Sequence, residues 1–555
     1  YTLADDPETF GGYFDSGSTW TTNSLTETRK DDYHVTSQVI ANYMGTFGSH
    51  DLTVMAGFEN YYMKDEELTA ARDKYELTGY PYLNIGSEDF QTNSGKGSEY
   101  TSNSVFGRVI YSYADRYLFQ ANIRHDGSSR FAKGYRWGTF PSFSAGWVMS
   151  EEKFMKSLNW DWLSFLKLRG SWGILGNERI GDDYFPYIAL MSFGNSLFYM
   201  ADGSVVSDKT ARPAILAVED ITWETTTSTD FGLDANFFNN RLQFHFDYYW
   251  KQTKDMLLKI EIPYFMGYNN PNTNAGKMST HGYDIELAWN DRIGDLQYGV
   301  NVNFSDFLSK IDYMNDGEQI SNGKIKRAGV LFNEYYGYVC DGIYQTQEEV
   351  NNSARTSTTV TVGDLKYRDI SGPDGVPDGI ISPEYDRVPL GNSLPRFQYG
   401  GTFNASYKGI DFSIAFQGIG KQNSYLSTAM VQPLRDNYGS VPSIIEGKYW
   451  SPFNTAEENL SARYPRLSNV SKSNNYATSS FWMFNGSYFR LKNLTLGYTL
   501  PETWTQKAGI DRVRFYISGS DLFCLSNFPD GWDPEMGASS YPITTSLVMG
   551  LQVNF

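Results

Sequence analysis

The last residues of the chain alternate. Leu547, Met549, Leu551, Val553 and Phe555 share one face; Val548, Gly550, Gln552 and Asn554 share the other. A period of two marks a strand with one apolar face. Residues 241–250 repeat it, with Leu242, Phe244, Phe246, Tyr248 and Trp250 set against Arg241, Gln243, His245, Asp247 and Tyr249. So do Ile410, Phe412, Ile414 and Phe416, and again Val513, Phe515 and Ile517. A soluble sandwich also alternates, with its apolar faces packed together. Two features favour a membrane barrel instead. The polar faces are rich in Arg, Asp and Gln, as a wet lumen allows. The connections run alternately short and long, as in barrels with short turns at one rim and long loops at the other.

The expected strands are 33–47, 51–63, 104–114, 116–126, 137–149, 163–175, 222–237, 241–256, 279–290, 296–310, 395–406, 410–421, 487–500, 511–520 and 543–555. Tight links fall at Ala114-Asp115, Asn239-Asn240 and Lys408-Gly409. Long links fall near 64–103, 176–221, 257–278, 311–394, 422–486 and 521–542. The class is therefore all-β, a transmembrane antiparallel barrel of 15 recognisable strands. Fifteen is odd, whereas bacterial single-chain barrels have even numbers. If the last strand ends in the periplasm, the first descends from outside and residues 1–32 form an outer loop. The chain then reads as the C-terminal part of a larger barrel. With about 22 strands in a plugged transporter, about seven strands and the plug are absent from residues 1–555.

Composition closes other routes. Tyr 41, Phe 36 and Trp 13 suit strands and interfaces, and no apolar run is long enough for a spanning helix. A net charge of −18 excludes the basic footprint that nucleic acid requires. Cys340 and Cys524 make no disulfide framework; they read as two free thiols, with a single bridge as the other option. The five histidines form no i, i+4 pair, which argues against zinc. No nucleophile elbow or phosphate loop appears, so the chain reads as a non-enzyme.

Several segments are more specific than barrel statistics. Asp126-Gly127-Ser128-Ser129-Arg130-Phe131 leads into residues 136–147, beginning Arg136-Trp137-Gly138. Leu166-Lys167-Leu168-Arg169-Gly170-Ser171-Trp172-Gly173 ends at Gly176-Asn177, and Trp223-Glu224 precedes a strand pair. Gly391-Asn392 precedes Pro395-Arg396-Phe397. Phe489-Arg490-Leu491-Lys492-Asn493-Leu494 runs toward Pro501, and Asp530-Gly531-Trp532-Asp533-Pro534-Glu535 precedes the last strand. This ordered set resembles the SusC-like (SusC/RagA) family of TonB-dependent outer-membrane transporters of Bacteroidetes. The resemblance implies an integral outer-membrane protein of a Gram-negative bacterium. It implies import of oligosaccharides or oligopeptides, energised by the TonB complex through the N-terminal part. It also implies a SusD-like surface lipoprotein cap and a dimer of transporter–lipoprotein pairs. The alternatives are a passive outer-membrane porin and a secreted β-rich glycan-binding or adhesive protein.

Three groups of residues are candidate sites. In the acidic run 369–386, Asp374, Gly375 and Asp378 match positions 5, 6 and 9 of a stretched calcium loop. The candidate Ca²⁺ ligands are Asp369, Asp374, Val376 (through its carbonyl), Asp378 and Asp386; the competing reading is a solvated Gly/Pro/Asp turn. Tyr449, Trp450, Phe453, Trp482 and Trp532 lie in or beside outer loops and are candidates for substrate or partner contact. Loop packing competes for all of them, and the aromatic girdle suits Trp482 and Trp532. Phe555, at the extreme terminus, is a candidate signal for the barrel-insertion machinery.

Overall fold

Three links set the hairpins. Ala114 and Asp115 both take positive φ (52° and 54°), as do Asn239 and Asn240 (60° and 64°) and Lys408 and Gly409 (45° and 86°). Turns with positive φ match the right-handed twist of the strands they join. The computed structural model describes residues 23–77, 79–181, 183–315, 317–427, 432–434, 441, 443–536 and 541–555.

Fifteen strands form one sheet, each antiparallel to the next. They are β1 (Ser24–Phe47), β2 (His50–Asp73), β3 (Gln91–Tyr113), β4 (Tyr117–Ser128) and β5 (Trp137–Val148). Then come β6 (Leu163–Asn177), β7 (Glu224–Phe237), β8 (Leu242–Lys259), β9 (Asn272–Ile293) and β10 (Leu296–Met314). The last are β11 (Arg396–Tyr407), β12 (Ile410–Lys421), β13 (Tyr488–Thr499), β14 (Arg512–Ser526) and β15 (Ser546–Asn554). All fifteen expected strands are present. Among the described residues the sheet is an open arc with β1 and β15 as its edges. The expected outer loop at 1–32 is corrected in part: Ser24–Asp32 belongs to β1, and residues 1–22 lie outside the described residues. The expected link 64–103 is likewise shorter, because β2 and β3 stay paired from His50↔Tyr113 to Arg72↔Gln91.

The apolar face of the sheet is the exposed one. Phe143, Leu168, Phe231, Tyr248, Leu287, Phe515, Ile517, Leu547, Met549 and Leu551 are all exposed. Covering one such side chain is worth ~1.5–3 kcal/mol. Left in water across fifteen strands, the loss would exceed the ~5–15 kcal/mol that stabilises a folded protein. A sandwich would hide this face; here lipid must cover it. Aromatic rings mark the tight-turn boundary on the same face: Phe47, Tyr117, Trp147, Phe237, Trp289, Tyr407 and Tyr498. Trp250 marks the far boundary on β8. Leu242 to Trp250 covers about 26 Å of strand, on the scale of the ~25 Å apolar band of such barrels.

The long loops fold on themselves. Residues 191–199 and 205–213 make a separate hairpin. The loop after β10 carries two small sheets, Glu318–Ser321/Lys324–Arg327/Glu334–Tyr338/Arg387–Asn392 and Cys340–Ile343/Leu365–Tyr367. The loop after β12 packs against it: Tyr338 N–H donates to Thr478 O (2.9 Å) and Arg466 N–H to Gly363 O (2.7 Å).

Candidate functional site: the inner wall and the folded outer loops

Register places the polar residues of β6 to β12 on one inner wall. Lys167 faces Asp234, Asp234 faces His245, and His245 faces Glu286. Arg169 is the hub of this wall. Its Nη1 donates to Asp247 Oδ1 (2.5 Å), its Nη2 to Asp247 Oδ2 (2.7 Å) and its Nε to Asp234 (3.2 Å), while Asp230 lies 3.7 Å away. Lys167 and His245 also reach Asp234, at 3.6 and 3.0 Å. Gly232 leaves room for the hub: a Cβ would fall 2.4 Å from the Arg169 guanidinium and displace it. Next to the hub lies a concavity of ≈ 980 Å³, lined by Tyr249, Asp284, Glu286, Asn301, Asn303, Gln398, Thr402 and Gln417. Asn301 donates to Glu286 (2.8 Å). Side-chain amides both donate and accept, so this wall can hydrogen-bond sugar hydroxyls or peptide groups alike.

The outer loops are tied together by a buried polar knot. Asp364 is fully buried. It accepts from Arg466 Nε (2.7 Å), Ser471 Oγ (2.9 Å), Asn475 Nδ2 (2.9 Å) and the Thr361 N–H (3.0 Å). Asn475 Oδ1 then accepts from the Leu365 N–H (2.9 Å), and Tyr367 OH donates to Asn474 O (2.5 Å). A charge without water survives only when paired and fully hydrogen-bonded, which this network achieves across two loops.

Several of the motif residues quoted above are fasteners at the outer rim. Trp223 packs with Phe131 and Phe140 and donates through Nε1 to Arg136 O (2.9 Å). Asn177 donates to Glu224 (3.1 Å), and Glu224 accepts the Leu257 N–H (3.0 Å). Arg396 forks onto Asp306 (2.5 and 2.6 Å). Arg490, almost fully buried, grips Asp533 (2.6 Å) and Glu535 (2.5 Å) and so joins two motifs far apart in sequence.

The aromatic candidates divide. Trp482 is 0% exposed, at the centre of a cluster with Leu426 and Phe528, and donates to Asn475 O (2.8 Å). It is therefore loop core, neither girdle nor contact surface, because a folded loop needs its own apolar centre. Trp532 packs at the rim of the same cluster. Trp450 is buried and donates to Gln345 Oε1 (3.2 Å), and Tyr449 bridges to Tyr464. Phe453 is the most exposed of the five, at 97%, while Tyr449 and Trp532 are half-buried. Phe555 is 88% exposed just past β15.

The acidic run folds as a turn. Asp386 is buried and accepts the N–H groups of Ile370 (2.7 Å), Ser371 (3.3 Å) and Ser382 (2.7 Å). Asp369 accepts the Gly379 N–H (2.7 Å), and Asp378 the Ile380 N–H (2.9 Å). Asp374 and Val376 are exposed at the tip. Among the described residues, no three His, Cys, Asp or Glu side chains gather at metal-holding distance, so the five candidates are not brought together as one shell.

Sequence reasoning missed Asp306, Asp364 and Glu152. Glu152 accepts from Arg116 (3.1 Å), Tyr117 OH (2.5 Å) and Trp147 Nε1 (3.2 Å), fixing a tight-turn link. Both cysteines are free thiols. Burial pushes Cys340 up to about 11. Its thiolate fraction at pH 8 is therefore small, and iodoacetamide should label it far more slowly in the folded protein than after denaturation. Equal rates in the two states would contradict its burial.

An exposed apolar belt, a polar inner wall, tight turns at one rim and long folded loops at the other define a transmembrane β-barrel of the bacterial outer membrane. The family model "TonB dependent receptor-like, beta-barrel" matches residues 1–518. The chain belongs to the TonB-dependent receptors, in their SusC-like branch. TonB-dependent receptor P3 of Formosa agariphila is 30% identical over 557 residues, covering 94% of this chain and 52% of the relative. TonB-dependent receptor SusC of Bacteroides thetaiotaomicron is 28% identical over 541 residues, covering 94% and 50%. The solved "RagAB peptide transporter" has the same fold, with a TM-score of 0.78 at 22% identity, covering 98% of this chain and 57% of that one. The chain spans about half the length of the curated relatives it matches.

Proposed function

We propose that this chain forms the greater part of the barrel wall of an energised importer of oligosaccharides or oligopeptides. The driving force comes from TonB, and a SusD-like lipoprotein covers the outer mouth. The observation that carries the reading is a polar, ion-paired inner wall roofed by folded loops, in a chain of this family. The two sheet edges left open among the described residues support a larger barrel, because an edge of 24 residues is a template for further strands. Those strands and a plug would come from the rest of the protein, and two transporter–lipoprotein pairs would assemble. The test is gentle detergent extraction from native outer membranes with mass spectrometry of what co-purifies. A stoichiometric lipoprotein and peptides from upstream of Tyr1 are expected. Recovery of this chain alone would favour the porin reading.

A Ca²⁺ ion in the 369–386 turn is a second proposal, supported by one atom. Asp369 Oδ1 is buried with no hydrogen-bond partner, and a cation would satisfy it. Calcium is then expected to slow proteolysis within 369–386 relative to a chelator, an effect that Asp369→Asn removes. Equal cleavage with and without calcium would refute it.

A further inference from the structure

Most links at the tight-turn rim are short; two are long and carry a short helix, the one between β13 and β14 (with Glu502–Thr505) and the one between β5 and β6, which holds more large apolar side chains. The β5–β6 link contains a 3₁₀ turn (Met149–Glu151) and a short helix (Lys153–Ser157) before β6 starts at Leu163. Its large side chains are turned outward: Phe154, Leu158, Trp160 and Trp162 are each about half exposed. Phe154 and Leu158 are four residues apart on one helix face, and Lys156 lies opposite, paired with Glu151 (2.5 Å).

These side chains continue the lipid-facing belt. Phe154 meets Trp147 (6.4 Å between centroids), which lies on the outer face of β5. Trp160 stacks on Trp162 (5.3 Å), and Trp162 stacks on Phe237 at 5.8 Å and an interplanar angle of 3°. Phe238 and Trp289 extend the row (6.2 Å). The link is also held rigidly. Glu152 binds Arg116, Tyr117 and Trp147 at its start, and the Phe238 N–H donates to Trp162 O (2.8 Å) at its end.

We propose that the 149–162 link is an in-plane membrane anchor, docked on the phospholipid headgroup–acyl boundary of the periplasmic leaflet. Amphipathic segments with aromatic residues on one face and lysines beside them lie in that boundary. The chemistry fits phospholipid: rings for the acyl edge, and Lys153 and Lys156 in the same short helix as cations for the phosphate layer. The anchor fixes the depth of the barrel and stops β5 and β6 from sliding along the membrane normal. The inference rests on the outer face of the sheet lying in lipid.

The test uses the full-length transporter in lipid nanodiscs, with Cys340→Ser and Cys524→Ser as background. Spin labels are placed by Phe154→Cys and Leu158→Cys, with Leu551→Cys as the lipid-facing reference. The ratio of oxygen to aqueous nickel-chelate accessibility is read by power saturation. At 154 and 158 it should be several-fold above that of a label at Glu151→Cys and approach that at 551. Nickel accessibility at 154 and 158 equal to that at 151 would overturn the anchor, including in favour of a soluble periplasmic partner. Nickel access at 551 as well would instead overturn the lipid placement of the whole face. Should a label disturb the fold, Trp160→Phe with Trp162→Phe gives a second readout. Quenching of tryptophan emission by brominated phospholipid should fall in that variant, and unchanged quenching would equally overturn the anchor.

Discussion

Asp364→Ala should release the folded outer loops while leaving the strands intact. The substitution strands the Arg466 guanidinium and the amide of Asn475, which both donate to this carboxylate. Removing one partner of a buried ion pair costs about 3–5 kcal/mol, and the side chain of Asp364 is fully buried. Tyr367 and Trp482 hang on the same network through Asn474 and Asn475. Limited proteolysis should therefore open new sites within 315–395 and 443–485. The heat-dependent gel shift of the folded barrel should persist. Asp364→Asn keeps hydrogen-bond acceptance and should lose less. Unchanged cleavage in Asp364→Ala would show that the knot does not hold the loops.

Arg490→Ala should have an effect of similar size at a different place. Its guanidinium joins β13 to Asp533 and Glu535 in the loop that precedes β15. Without it, two carboxylates face each other at the rim with Lys492 as the nearest remaining cation, 3.9 Å from Glu535. The expected loss is again about 3–5 kcal/mol for a buried, forked pair. Arg490→Lys should restore it only in part, because an ammonium lacks the planar fork that sets Nε on Glu535 and Nη2 on Asp533. The readout is the fraction of heat-modifiable barrel recovered from outer membranes. A wild-type fraction in Arg490→Ala would sink this account of why the two motifs go together.

The strands were legible because lipid imposes a strict rule on them. Every second residue of β8 or β14 must suit hydrocarbon, and that pattern survives without knowing any partner. The rule lapses above the bilayer. The start of β1, Ser24-Leu25-Thr26-Glu27-Thr28-Arg29-Lys30, is paired strand with no apolar alternation, so it read as loop. The site was harder for the same reason. Trp482 and Trp532 lie near strand ends in sequence, which suggested the girdle. Yet a ring close to a strand end can equally be roofed by a loop, and Trp482 is. The rings that the structure places at the turn rim, Trp160 and Trp162 among them, look the same in sequence. Asp306, Asp364 and Arg169 act mainly through partners 61 to 111 residues away, and no local spacing announces them.

The most direct test of the account is a cysteine scan along β8 in intact outer membranes. A water-soluble maleimide is the probe, in the Cys340→Ser, Cys524→Ser background. Reactivity should alternate: Gln243→Cys, His245→Cys and Asp247→Cys labelled, and Phe244→Cys, Phe246→Cys and Tyr248→Cys protected by lipid. Protection without alternation, or labelling of the 244, 246 and 248 positions, would contradict an outer-membrane barrel wall with this face in the bilayer.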